Sequence, residues 1–134
     1  MTKLISIEGI GEAFLAKLTA AGVTSIEDLL KKGATPQGRK ELEEKSGVSH
    51  AKILEWVNHA DLFRIKGVAE EYSDLLEEAG VDTVVELAQR NAENLLKALT
   101  AVNEEKKLVR RLPTQKMVSE WVAQAKTLPR IVNY

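Results

Sequence analysis

The sequence contains no cysteine, which excludes disulfides, thiolate metal sites and cysteine nucleophiles together. That absence fits a reducing compartment. Aromatic residues are only 4 % of the chain, so a core has to be built mainly from aliphatic side chains. No stretch approaches the roughly 20 apolar residues of a transmembrane helix, and the N-terminus lacks an apolar signal region. A soluble, cytoplasmic chain with no membrane partner is expected. Catalytic signatures are missing as well: there is no Gly-x-Ser-x-Gly, no phosphate loop ending in Gly-Lys-Ser/Thr and no dinucleotide fingerprint following a strand. His50 and His59 stand nine residues apart, and without cysteine a zinc set would need carboxylates in an unusual arrangement. Neither an enzyme, a cofactor nor a metal site is expected.

Charge of one sign is lacking overall, with a formal net of −1, but not locally. Residues 1–62 carry 8 basic and 9 acidic side chains, and residues 63–105 carry 4 basic and 10 acidic. Residues 106–134 carry 7 basic side chains against the single acid Glu120. Such polarity serves either as internal pairing or as a binding face. With 134 residues, 44 % hydrophobic and 29 % charged, the composition is otherwise that of an ordinary globular protein with room for one domain or two very small ones.

The chain repeats itself. Ile7-Glu8-Gly9-Ile10-Gly11-Glu12 returns as Ile65-Lys66-Gly67-Val68-Ala69-Glu70, a shift of 58 residues. At the same shift Leu18 meets Leu76, Gly22-Val23 meets Gly80-Val81, Ile26 meets Val84 and Leu29 meets Leu87. Glu55-Trp56-Val57 returns as Glu120-Trp121-Val122 at a shift of 65, so the second copy holds about seven extra residues, most simply between Val102 and Arg111. The copies are read as residues 1–62 and 63–134, joined without a Pro/Gly/Ser-rich linker.

Within each copy the pattern is helical, with no run of alternating strand residues. Phe14, Leu15, Leu18 and Ala21 form one stripe, ended by Gly22 at a position suited to a left-handed C′ residue. Thr24-Ser25-Ile26-Glu27 reads as a capping box for the next helix. Thr35-Pro36 opens a third helix running toward Gly47, and Ser49 caps a fourth. Asp82, Asn91 and Thr114 are the cap candidates of the second copy. The expectation is an all-α fold of about four short helices per copy. Trp56 and Trp121, matched in position, are expected as paired core residues rather than base-stacking platforms. Glu41, Glu43, Glu44, Glu77 and Glu78 sit among polar helical positions and read as solvated surface.

A Gly-apolar-Gly turn between helices lets another backbone approach closely and aims the free N–H groups of the next helix across the turn, where a phosphate fits. Gly9-Ile10-Gly11, followed by an amphipathic helix, Ala21-Gly22-Val23 and a second helix, resembles the helix-hairpin-helix superfamily. Each copy is similar to the small N-terminal domain of strand-exchange recombinases, with two hairpins per copy. The first copy then has turns at Gly9-Ile10-Gly11 and Gly47-Val48-Ser49; the second has Gly67-Val68-Ala69 and the glycine-free Leu112-Pro113-Thr114. More closely, almost the whole chain resembles the bacterial family called domain of unknown function 4332. Gly33-Ala34-Thr35-Pro36, Glu55-Trp56-Val57-Asn58-His59-Ala60-Asp61-Leu62 and Leu108-Val109-Arg110-Arg111-Leu112-Pro113-Thr114 carry that resemblance.

The superfamily implies contact with nucleic-acid backbone rather than bases. DNA-gripping hairpins commonly follow their glycines with proline and lysine, whereas Glu8 and Glu12 flank the first turn here and Glu70-Glu71 follow the third. Carboxylates there satisfy the helix dipole themselves and repel phosphate. The turns marked by Gly9, Gly11 and Gly67 are therefore read as structural. Lys45, Gly47 and Lys52 around the second hairpin, and Lys106, Lys107, Arg110, Arg111 and Lys116 around the fourth, are the candidate nucleic-acid contacts. Two functions stay open: a non-enzymatic, sequence-independent binder of nucleic-acid backbone, and a protein–protein interaction adaptor with no nucleic-acid binding.

Overall fold

The computed structural model describes residues 2–134, with the backbone alone for residues 69 and 70. Among the described residues there are eight α-helices and no strand. None of these helices is long and apolar enough to cross a membrane. The chain divides into two compact units, residues 2–61 with 131–134, and residues 62–130.

The first unit opens with a single 3-10 turn, Leu4–Ser6, followed by α1 (Glu12–Ala20), α2 (Ile26–Lys32), α3 (Pro36–Ser46) and α4 (His50–Leu62). Helix α1 stops because Gly22 takes φ +90°, a conformation that L side chains resist. The Val23 N–H then reaches back to the Leu18 carbonyl at 2.9 Å, and the Gly22 N–H to that of Thr19 at 3.0 Å. This six-residue closure satisfies carbonyls that the helix end would otherwise leave bare. Leu18 and Val23 are both fully buried beneath it.

Helix α2 starts one residue later than the sequence suggests. Ser25, not Thr24, is the N-cap: its hydroxyl accepts from the Asp28 N–H at 3.1 Å, and the Asp28 carboxylate accepts from the Thr24 N–H at 3.1 Å. The Val23 amide is committed to closing α1, and the N-cap Ser25 is extended, with φ −148°. Glu27, the expected partner in the capping box, instead accepts from the Thr2 N–H. Thr35 caps α3 through the Gly38 N–H at 3.0 Å, with Pro36 in the first turn. Gly47, at φ +73°, ends α3, and Ser49 accepts from the Lys52 N–H at 3.4 Å to open α4. Leu18, Ile26, Leu29, Ile53 and Trp56 are all buried.

The second unit contains α5 (Ala69–Glu78), α6 (Val84–Ala88), α7 (Ala92–Lys106) and α8 (Gln115–Thr127). Gly80, at φ +91°, closes α5 as Gly22 closes α1, with the Val81 N–H on the Leu76 carbonyl at 2.9 Å. Thr83, rather than Asp82, caps α6 through the Glu86 N–H, again one position later than expected. Asn91 and Thr114 cap α7 and α8 at 3.0 and 3.1 Å. The core gathers Leu76, Val84, Leu87, Val118 and Trp121 with neighbouring aliphatics. The additional length lies where α7, 15 residues against 11 in α3, passes into the connection 107–114.

In each unit an aromatic pair sits under the first turn. Phe14 meets Trp56 edge-on with ring centroids 5.1 Å apart, and Tyr72 meets Trp121 at 5.2 Å. Both indoles are almost wholly buried, which places them in the core as expected. The indole Nε1 atoms lie 3.5 and 3.2 Å from where a Cβ on Gly9 or Gly67 would stand, and both glycines have φ +94°.

Candidate nucleic-acid interface

Five of the candidate contacts lie on one stretch of the second unit. Lys106 ends α7, Lys107 is its C-cap in the left-handed region at φ +51°, Arg110 and Arg111 follow in the connection, and Lys116 is in the first turn of α8. All five are exposed. A chain segment this polar is usually pliable, yet this one is pinned from inside. The Asn103 carboxamide brackets Val109, its oxygen accepting from the Val109 N–H at 3.0 Å and its nitrogen donating to the Val109 carbonyl at 3.2 Å. The Tyr72 hydroxyl donates to the Arg111 carbonyl at 3.2 Å. Val109 and Pro113 are buried, so the backbone is held down while Arg110 and Arg111 project outward.

The charges are not equivalent. The Lys106 ammonium pairs with the Glu78 carboxylate, and that hydrogen bond and charge raise its pKa above the ordinary lysine value. One cation of the basic segment is thus spent on the acidic segment before it. Lys107, Arg110, Arg111 and Lys116 form no ion pair among the described residues. Burial, with the nearby Glu71, holds the Tyr72 phenol above its ordinary pKa, while Arg111 pulls it down. The phenol therefore stays a hydrogen-bond donor throughout the neutral range.

The other candidates belong to the first unit. Gly47 is exposed, and around it a shallow concavity is lined by Lys40, Glu43, Glu44 and Ser49. His50 stands 3.8 Å from Glu43. Lys45 lines a second concavity with Lys32 and Glu41. The charge around this hairpin is mixed, and its α4 terminus is already capped by Ser49. Lys52 lies elsewhere: its ammonium stands 5.4 Å from the Phe14 ring centroid, and Lys17 stands 5.7 Å from the same ring. The half-buried Phe14 between two lysines was not anticipated from sequence, although its spacing of three from Lys17 on a helix places the two side by side.

At the first turn, Gly9 and Gly11 are exposed, and Gly11 is the N-cap of α1 with no side-chain cap. Glu8 and Glu12 flank it, both exposed. At the third turn, Gly67 and Glu71 are exposed, while the Glu70 side chain lies outside the described residues.

A family model described as a domain of unknown function (DUF4332) matches residues 8–128. No curated protein and no solved structure matches the chain.

Proposed function

Since the chain belongs to the DUF4332 family, whose name carries no activity, we propose from its own surface that it is a non-enzymatic module gripping nucleic-acid backbone without reading sequence. The observation that carries this reading is the pinned connection 107–114, which presents Lys107, Arg110 and Arg111 outward from a backbone anchored by Asn103 and Tyr72, with the exposed Lys116 following in the first turn of α8. Phosphate contacts need cations held at fixed spacing and no base-specific geometry. In this proposal the two sequence copies, residues 1–62 and 63–134, are tandem helix-hairpin-helix repeats. That assignment is supported by the paired φ values of Gly9 and Gly67 and of Gly22 and Gly80. It is supported too by the aromatic pair under each first turn. The acidic flanks of the first and third turns make those turns structural, and the contacts come from the basic connection; Lys45, Gly47 and Lys52 are separate candidate contacts of the first unit. A cytoplasmic location belongs to the same reading.

Binding of this kind should tolerate any base sequence and weaken steeply with salt, with a log–log slope of about −0.9 per phosphate neutralised on duplex DNA. Fluorescence anisotropy with mixed-sequence duplex and single strands at low salt measures both. Arg110→Glu together with Arg111→Glu should abolish binding while leaving the helical circular dichroism and melting transition intact, since both side chains are exposed. Absence of binding by the unaltered chain at concentrations on the order of tens of micromolar would overturn the proposal. A protein–protein adaptor, which the carboxylates around the first turn favour, would then take its place.

A further inference from the structure

The first unit is completed by a segment far away in sequence. Residues 131–134 pack with residues 2–61 without helix, strand or turn. The Asn133 N–H donates to the Ala34 carbonyl at 2.8 Å, and the Asn133 carbonyl accepts from Arg39 Nη2 at 2.6 Å. Val132 is buried to 2 % exposure. The Tyr134 ring centroid lies 5.8 Å from the Arg39 guanidinium carbon, and its hydroxyl donates to Asn58 Oδ1 at 2.9 Å.

Arg39 is what makes this arrangement unusual. It sits in the first turn and a half of α3 and is only 2 % exposed. Its Nη1 donates to the Gly33 carbonyl at 2.8 Å, and its Nε has no hydrogen-bond partner. No carboxylate pairs with it among the described residues, and burial lowers its pKa below the usual arginine value. A buried guanidinium held by carbonyls and a ring is an expensive way to fill a core, where an aliphatic side chain would serve. It is a suitable way to hold a stretch of main chain whose carbonyl has to be met from one side.

These contacts are those of a receptor with an extended peptide: main-chain hydrogen bonds on one residue, a buried side chain before it, and an aromatic after it on a cation. We propose that the face formed by Ala34, Arg39 and Asn58 is a binding site for a short extended peptide carrying an aliphatic residue two positions before an aromatic one. Residues 131–134 are its resident and displaceable occupant. The site uses none of the basic residues of the second unit, so it stands or falls separately from nucleic-acid binding.

Tethering gives the resident segment an effective concentration in the millimolar range, so a free peptide competes only once the tether's grip is weakened. The test uses the full chain carrying Val132→Asp and Tyr134→Ala, and a fluorescein-labelled peptide with the sequence of residues 128–134. Saturable binding to the variant, at least about tenfold tighter than to the unaltered chain, is expected. The same peptide with aspartate in place of its valine should not bind. Equal binding to both chains, or none to a variant that retains its helical spectrum and cooperative melting, would overturn the proposal. Should the variant fail to fold, amide hydrogen exchange in the unaltered chain decides. The Asn133 amide is expected to exchange at least about tenfold faster than the buried Val57 amide, as a locally opening segment does. Exchange of both at one common rate would make the segment part of the core and defeat the proposal.

Discussion

Gly38 lies inside α3, where alanine would ordinarily be the better helix former by about 1 kcal/mol. A Cβ there, however, would stand 2.1 Å from the Lys32 carbonyl oxygen, a main-chain atom at the end of α2 that cannot swing aside. Gly38→Ala is therefore expected to destabilise the protein by ~1–3 kcal/mol, the usual cost of overpacking. Urea unfolding reads this as a lower midpoint at unchanged slope. Gly80 makes the opposite kind of demand. Nothing lies within 4 Å of its Cβ position, and only its φ of +91° resists a side chain. Gly80→Val should cost about 1–3 kcal/mol from backbone strain alone, and Gly80→Asn much less, because asparagine tolerates the left-handed region. If valine and asparagine cost the same, conformation is not what this position selects. The need at Gly22 and Gly80 was legible in the sequence, since each follows an apolar helical stripe. The need at Gly38 was not, because close approach of two main chains leaves no periodic trace. Arg39 was equally hidden: within the polar run Gln37-Gly38-Arg39-Lys40-Glu41 nothing marks one cation as buried.

Helix ends show how local chemistry narrows a choice without making it. Thr35, Asn91 and Thr114 cap the helices they precede because each is the one side chain at its turn able to accept the N3 amide. Thr24-Ser25 and Asp82-Thr83 each offer two such residues, and the preceding helix closure, which uses the amides of Val23 and Val81, selects the second. The end of α7 carries a different tension. Lys107 adopts the left-handed conformation that glycine fills more easily. Lys107→Gly is expected to raise stability by roughly 1 kcal/mol, the cost an L side chain bears in that region, while weakening the proposed nucleic-acid binding by removing one exposed cation. Thermal melting and anisotropy on the same variant measure the two effects. A variant no more stable than the parent would mean that the lysine is not strained.

At the scale of the whole chain, the repeat was legible because the same physical needs recur in the same order: a turn glycine and a closing glycine at a shift of 58, then a buried tryptophan at a shift of 65. The basic segment was legible as composition, but its pinning by Asn103 and Tyr72 was not. A carboxamide and a phenol in a helix read as ordinary polar positions until the connection folds back onto them. The attachment of residues 131–134 to the first unit had no signal at all, since four residues are too few to display a period. Yet this attachment bears on how the molecule is made. Arg39 and Asn133 are 94 residues apart, and the whole second unit is synthesised between them. At ~5–20 residues per second, a ribosome delivers the closing segment only after a delay of about 5–20 seconds. Through that interval the nascent first unit holds a guanidinium lacking one of its two carbonyl partners.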